Sequence, residues 1–401
     1  MFSNFFSPIT SLFAKRLTRQ IRELYSATLI LDLAVSMVSI FEPVFLYVFF
    51  SKTLPLKETL ESIVYFYLAL YALYFFLVPF GAKFARRFGY ENSIALASLF
   101  QIVLYFSLFI MNQFPWAVAV AVVVYAIAKC LYWPAFHANF ARFSADGEQG
   151  REISNLYALE SFIYIVGPLI GGLILESFGF KVLFVAVSIL MLASNIPMLV
   201  TKEIFEPKSF PYFKTYRKFF KKENRKKFFA HFGYGEEWIV LVLWPIFMYL
   251  AANDFLGLGI ISAVSTLTAT AVLLFIGRWT DKRGKTMVLK FGVVLYFFSW
   301  LFKILTRNYL GIILLDAYAR ITKNSVSIPI TAGLYKDAQH GSVMEEIVFF
   351  ETALVAGKII AMLCALLILQ IFVPGWNSLF ILGALFTLFY LLFNNRGHES
   401  A

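Results

Sequence analysis

Cysteine, histidine and charge are all scarce in this sequence. There are two cysteines, Cys130 and Cys364, and four histidines in 401 residues. Two isolated thiols exclude a disulfide framework, and no metal-ligand spacing is present. Charged residues make up 15% of the chain, against about 25% in a soluble domain. No G-x-x-x-x-G-K-[ST] loop occurs, which argues against a nucleotide-driven pump. No nucleophile constellation suggests an enzyme. No small-residue cleavage site follows the aromatic N-terminus, so a cleavable signal peptide is not expected. The one long polar stretch is 201–227, leaving no soluble domain in which to house catalysis. No cofactor and no metal are expected.

What remains is apolar. Hydrophobic residues are 60% of the chain and mean hydropathy is +0.75. Runs long enough to cross a bilayer, about 20 residues each, fall near 25–50, 62–82, 91–111, 115–138, 155–176, 180–200, 228–252, 256–277, 286–306, 309–333, 346–372 and 376–394. With no water to satisfy backbone groups they must be helices, so the expected fold is all-α and polytopic with twelve transmembrane helices. Net charge is +11, which in a soluble protein would suggest nucleic acid. Here the basic residues gather in alternate loops, and only Lys52, Lys57, Lys181 and Arg307 fall in loops on the other side. That is the positive-inside pattern. It places both termini in the cytoplasm and assigns the excess to membrane insertion and anionic lipid, not nucleic acid. The expected organisation is an amphipathic N-terminal segment at 1–24, a six-helix bundle at 25–200, a basic cytoplasmic linker at 201–227, a second bundle at 228–394 and a tail at 395–401.

The second half repeats the first. "EPVFLY" at 42–47 recurs as "WPIFMY" at 244–249, and the basic loop "GAKFARRFG" at 81–89 recurs as "GRWTDKRG" at 277–284. "YWPAFHANF" at 132–140 precedes Glu160 much as "SIPITAGLY" at 327–335 precedes Glu351. Parallel six-helix repeats with a site between them are one way secondary transporters are built.

These residues resemble the major facilitator superfamily, over essentially the whole chain. Gly277, Asp281, Lys282, Arg283 and Gly284 are similar to its G-x-x-x-D-[RK]-x-G loop. The first-half copy keeps Arg86, Arg87 and Gly89 but lacks the Asp. "GPLIGG", with Gly167, Pro168, Gly171 and Gly172, resembles the core of the family's antiporter motif, although position 163 is Ile in place of a glycine. The resemblance implies gating roles for both sets: glycines permit close helix packing and the proline bends its helix. Plain packing is the competing reading.

Ionisable groups at bilayer depth are costly and read as functional. The acids are Asp32, Glu42, Glu160, Glu236, Glu237, Asp316 and Glu351; the bases are Lys129, Lys303, Arg320, Lys323 and Lys358. All but Lys303 fall on spans that line the cavity in the superfamily, and Lys303 lies near an outer end, where it can snorkel. Asp32, Glu160, Glu236 and Glu351 are the candidates for proton coupling, since burial and an approaching charge can switch a carboxylate between states. Lys129, Trp133, Trp238, Asp316, Arg320 and Lys323 are the candidates for substrate binding. Asp316 and Arg320 are four apart and can pair on one helix face. Lys129 and Lys323 occupy near-equivalent depths, either as opposed cations or neutralised by Glu160 and Glu351. Only one of Glu236 and Glu237 can face the cavity, because adjacent helical residues point about 100° apart. Glu42 is expected at an outer gate or in solvent, and His137 and His231 at solvated helix ends. The aromatic side chains are expected mainly to pack.

The expectation is therefore a proton-coupled transporter of the cytoplasmic membrane, monomeric, working by alternating access. It would exchange H+ for a small organic or amphipathic compound, outward. The alternatives are a proton-coupled importer of an organic anion or nutrient, and a non-transporting lipid-handling or sensory protein.

Overall fold

The computed structural model describes residues 19–143, 149–200, 212–283, 285–306, 308–339, 342–372 and 375–393. The expected N-terminal amphipathic segment falls largely outside them, as do the first part of the linker and the tail. The described residues contain helices and no strand, as a chain whose backbone must satisfy itself away from water requires.

The first half holds α1 (Arg19–Val38), α2 (Glu42–Phe50), α3 (Leu56–Phe88), α4 (Tyr90–Ile110), α5 (Ala117–Phe143) and α6 (Gln149–Val200). The linker forms α7 (Tyr212–Phe220). The second half holds α8 (Arg225–Phe232), α9 (Gly235–Trp238), a π-turn (Ile239–Leu243), α10 (Trp244–Ala252), α11 (Phe255–Arg283), α12 (Lys285–Leu305), α13 (Tyr309–Gln339), α14 (Val343–Ile371) and α15 (Trp376–Thr387). Among the described residues, nine stretches are long and apolar enough to cross a membrane. One of them, Glu160–Ile196, breaks at Gly179, whose φ of 77° is a conformation that glycine adopts readily. α13 carries Asp316, Arg320 and Lys323 in its span, and Trp376–Leu392 is a shorter apolar helix. Phe76, Phe106, Ile189, Leu314 and Leu367 point outward, more than half exposed. So large an apolar surface needs lipid to cover it.

Each copy of the hexapeptide repeat starts a short helix behind a break in its span. Pro43 sits in the first turn of α2, after the turn at Ser39–Phe41, and Pro245 in the first turn of α10, after the π-turn. Proline fits there because a first-turn N–H has no intrahelical acceptor. The last residues of the two copies, Tyr47 and Tyr249, meet edge-on with ring centroids 6.5 Å apart.

Within the first half, α1 packs along α6 and α5 lies against both α3 and α4; within the second, α13 lies against α11 and α12. The halves join where α6 meets α11 and α3 meets α14. Close approach explains the glycines. A Cβ on Gly171 would sit 2.1 Å from the Met37 carbonyl oxygen, and one on Gly259 would sit 2.5 Å from that of Pro168.

Candidate functional site

A cavity of about 940 Å³ lies between the halves, at the upper end of the range for small-molecule sites, roughly 300–1,000 Å³. The first half contributes Ser36, Ser39 and Ile40 from α1 and Ser161, Tyr164 and Pro168 from α6. These groups are uncharged. The second half contributes Glu237, Lys303, Asp316, Arg320 and Lys323, which are all the charged residues on the wall among the described residues, together with Trp244 and hydroxyls of α11 and α13.

Most of those charges are held by partners. Asp316 accepts from Arg320 Nε at 2.8 Å and from the Trp244 indole N–H at 2.8 Å, while Arg320 also donates to Ser262. Lys323 donates to Glu236 and, at 2.8 Å, to the Tyr390 oxygen. Glu236 is fully enclosed and also accepts from Tyr296 at 2.6 Å and Tyr390 at 2.9 Å. Glu237 pairs with Lys358 at 2.7 Å. Lys303 Nζ lies 4.0 Å from the ring centroid of Trp244 and 4.0 Å from that of Trp300. Indole faces attract a cation.

At the end carrying the basic loops, a second cluster ties the halves together. Glu351 on α14 accepts from the Tyr74 hydroxyl of α3 at 2.8 Å and meets His137 Nε2 of α5 at 3.2 Å. The other ring nitrogen of His137 is 3.0 Å from the hydroxyl of Tyr335, a residue of the cavity wall. Four helices from both halves meet in this one hydrogen-bonded chain. Nearby, Lys218 of α7 bonds Glu346 of α14 at 2.8 Å.

Residues 24–255 match the model of the Major Facilitator Superfamily. The chain belongs to this superfamily. Its match to the "Na(+), Li(+), K(+)/H(+) antiporter" of Planococcus maritimus is 25% identical over 224 residues, 54% of this chain and 52% of the relative, so the chain spans about half the length of the curated relative it matches. Among solved structures it is similar to a proton-dependent oligopeptide family transporter at TM-score 0.70 and 13% identity, covering 92% of this chain and 99% of that one. A D-xylose-proton symporter aligns at TM-score 0.65 and 10% identity, covering 92% and 96%. At such identities these likenesses show the fold alone. The chain is an integral membrane protein and a transporter of the major facilitator type.

Against this fold the sequence-derived residues sort unevenly. Asp316 and Arg320 pair as their spacing predicts, and Lys323 also lines the cavity. Lys129 does not oppose it. Lys129 is not on the cavity wall; its ammonium sits over the rings of Tyr125 and Tyr71, 4.7 and 5.7 Å from their centroids. Neither lysine is neutralised by Glu160 or Glu351, because Glu351 is engaged by Tyr74 and His137 and Lys323 by Glu236. Of the adjacent glutamates, Glu237 faces the cavity and Glu236 is enclosed behind it. Trp238 is completely buried away from the wall and Trp133 stacks on His137 at 5.6 Å; Trp244 is the indole that reaches the site.

Three residues expected at the periphery are interior. Glu42 is buried and accepts from Tyr67 at 3.2 Å, so it is neither solvated nor at an open gate. Lys303 is 1% exposed and does not snorkel. His231 is fully enclosed with both ring nitrogens unpartnered and packs edge-on against Phe350 at 4.9 Å. His137 is likewise no solvated helix-end residue. The sequence did hold hints: Trp300 and Lys303 share a helix face at i,i+3, as Trp133 and His137 do at i,i+4.

Asp32 lies one helical turn before Ser36, and Glu160 directly precedes Ser161. The two carboxylates are close enough to interact electrostatically, and neither is in an ion pair among the described residues. Gly167 and Gly171 fit α6 against Ser36 and Met37 of α1, and Gly172 approaches the Phe255 carbonyl of α11, so packing accounts for all three; Pro168 lines the cavity. Gly89, with φ 105°, ends α3 behind Arg86 and Arg87, and the Arg87 guanidinium lies 5.2 Å from the Phe88 ring centroid. Gly277, Asp281, Lys282 and Arg283 fall on α11, but their side chains lie outside the described residues, as does Gly284 altogether. Among the described residues, no cluster of His, Cys, Asp and Glu offers a metal site.

Proposed function

We propose that the chain is a proton-coupled antiporter of the cytoplasmic membrane, exporting a small organic or amphipathic compound by alternating access, with both termini in the cytoplasm. The observation that carries this is the Asp32 and Glu160 pair. Two carboxylates on the packed helices α1 and α6 that feel each other's charge, with no base paired to either among the described residues, can take up and release a proton without breaking an ion pair. Repulsion between like charges favours a bound proton when the cavity is dry, and hydration or a cationic partner favours release. The similarity to the Planococcus relative, a cation/proton antiporter, supports the antiport direction.

The gate is assigned to two contacts. At the basic end, Glu351, His137 and Tyr74 must separate before the halves part. At the opposite end, Tyr47 and Tyr249, with Phe180 against Phe255, close the other exit. Gly171 and Gly172 let α6 pivot against α1 and α11.

A second reading is a proton-coupled symporter of an organic anion, which Lys303, Arg320 and Lys323 on the wall favour. Proteoliposomes holding a pH-sensitive dye separate the two. Pools of Na+, Li+ and K+ salts, organic cations, organic acids and sugars are added in turn, and proton and solute fluxes are followed together. Opposed fluxes are expected. Parallel fluxes would replace antiport by symport, and silence with correctly inserted protein would overturn coupling to H+.

A further inference from the structure

The charges on the cavity wall do not cancel. Glu237 is held by Lys358, Asp316 by Arg320, and Lys323 by Glu236. Lys303 is left over. Its side chain is 1% exposed and lines the cavity, and it makes no hydrogen bond or ion pair among the described residues. Asp316 and Glu236 act on it from beyond ion-pair distance, but both are already engaged, by Arg320 and Trp244 and by Lys323, and the Arg320 charge opposes them. The indole rings of Trp244 and Trp300 offset part of the cost of enclosing the ammonium. They do not replace a counter-ion, and an enclosed charge without one is unfavourable.

We propose that Lys303 receives the anionic group of the transported compound, and that the compound is an amphipathic monoanion: one carboxylate on a largely apolar body. The inference rests on the transporter reading and names its substrate class. One uncompensated cation matches one negative charge. A second would lie near Asp316 or Glu237, whose own bases are taken, and like charges in an enclosed site repel strongly. The wall also carries apolar groups, among them Ile40, Pro168, Val240, Leu241 and Met248. That surface suits a hydrocarbon or aromatic body, and the scattered hydroxyls suit its polar substituents. Arg320 has a guanidinium N–H beyond those given to Asp316 and Ser262, so it is a second donor to the same carboxylate.

The test needs no knowledge of the natural substrate. Full-chain protein in phosphatidylcholine nanodiscs, free of anionic lipid, is titrated with benzoate, phenylacetate and octanoate, each beside its own amide and amine. Trp244 and Trp300 flank the ammonium, so tryptophan fluorescence reports occupancy. At least one carboxylate is expected to bind saturably and about tenfold or more tighter than its amide and amine, as a desolvated charge pair should. K303Q is expected to bring acid and amide to equal affinity, and K303R to keep the preference. The proposal is overturned if no carboxylate is preferred over its amide, or if K303Q keeps the preference. Should K303Q fail to fold, the wild-type comparison and K303R still decide. Failure of the coupling reading looks different: the carboxylate preference survives in protein that moves no protons. Proton-coupled transport of a neutral or cationic compound without that preference overturns the Lys303 site alone.

Discussion

The two halves line one cavity with opposite chemistry. From α1 and α6 come hydroxyls and apolar groups, and the same helices carry Asp32 and Glu160, neither paired with a base among the described residues. From α9, α12 and α13 come the charges, most of them locked in pairs with further tyrosine and tryptophan donors. Charges that are paired and enclosed are held in place, because removing either partner strands the other. Carboxylates without a base are free to change protonation at little structural cost. The two halves, which share the hexapeptide repeat, thus differ in their chemistry. On the proposed reading, one side titrates and the other presents fixed charge to a ligand.

The largest effect should come from breaking a fixed pair. Glu236→Gln leaves the partly buried Lys323 without its carboxylate, and is expected to cost about 3 kcal/mol, read as a lowered unfolding midpoint in detergent. Asp32→Asn breaks no ion pair and should stay within about 0.5 kcal/mol of wild type by the same measurement. Equal losses would erase the distinction between the halves.

Next in size is helix contact. Gly259→Ala places a Cβ against the Pro168 carbonyl oxygen, 2.5 Å away before relaxation. Forcing α6 and α11 apart is expected to cost about 1–3 kcal/mol and to slow substrate exchange. An unchanged unfolding midpoint and exchange rate would show that this seam is not tightly packed.

The seam at the basic end should be softer. Glu351→Gln weakens the charge-assisted bonds to His137 and Tyr74 by about 1–3 kcal/mol. Spin labels at Lys83 and Lys226, both exposed, are expected to show a larger population of long distances. A distance distribution identical to wild type would remove Glu351 from the gate. At the bottom of the scale, Lys52→Ala loses an exposed bond to Asn112 of 2.8 Å and should change stability by less than about 0.5 kcal/mol.

Much of this was legible in the sequence, and the limits have physical causes. Hydropathy and basic loops fixed the helical membrane class, and the Asp316–Arg320 spacing fixed one pair because both partners share a helix. Pairs between helices were not legible. Lys323 reaches Glu236, and Glu351 reaches Tyr74 and His137, through rotations about helix axes that one sequence does not specify. Lys303 departs from the expectation because depth along a span does not set exposure: two indoles enclose it. His137 and Glu42 depart from theirs for the same reason. "GPLIGG" was correctly seen as a place of close approach, but which helices approach emerges only from the packing of α6 against α1 and α11.

The division of labour is tested most directly by measuring proton-coupled flux and substrate exchange side by side in proteoliposomes carrying wild type or D32N/E160Q. The account predicts that the double variant loses uphill, proton-driven flux and keeps downhill exchange of substrate, since the charged wall of the second half is untouched. Full proton-driven flux in the double variant would contradict it and move coupling to the second half.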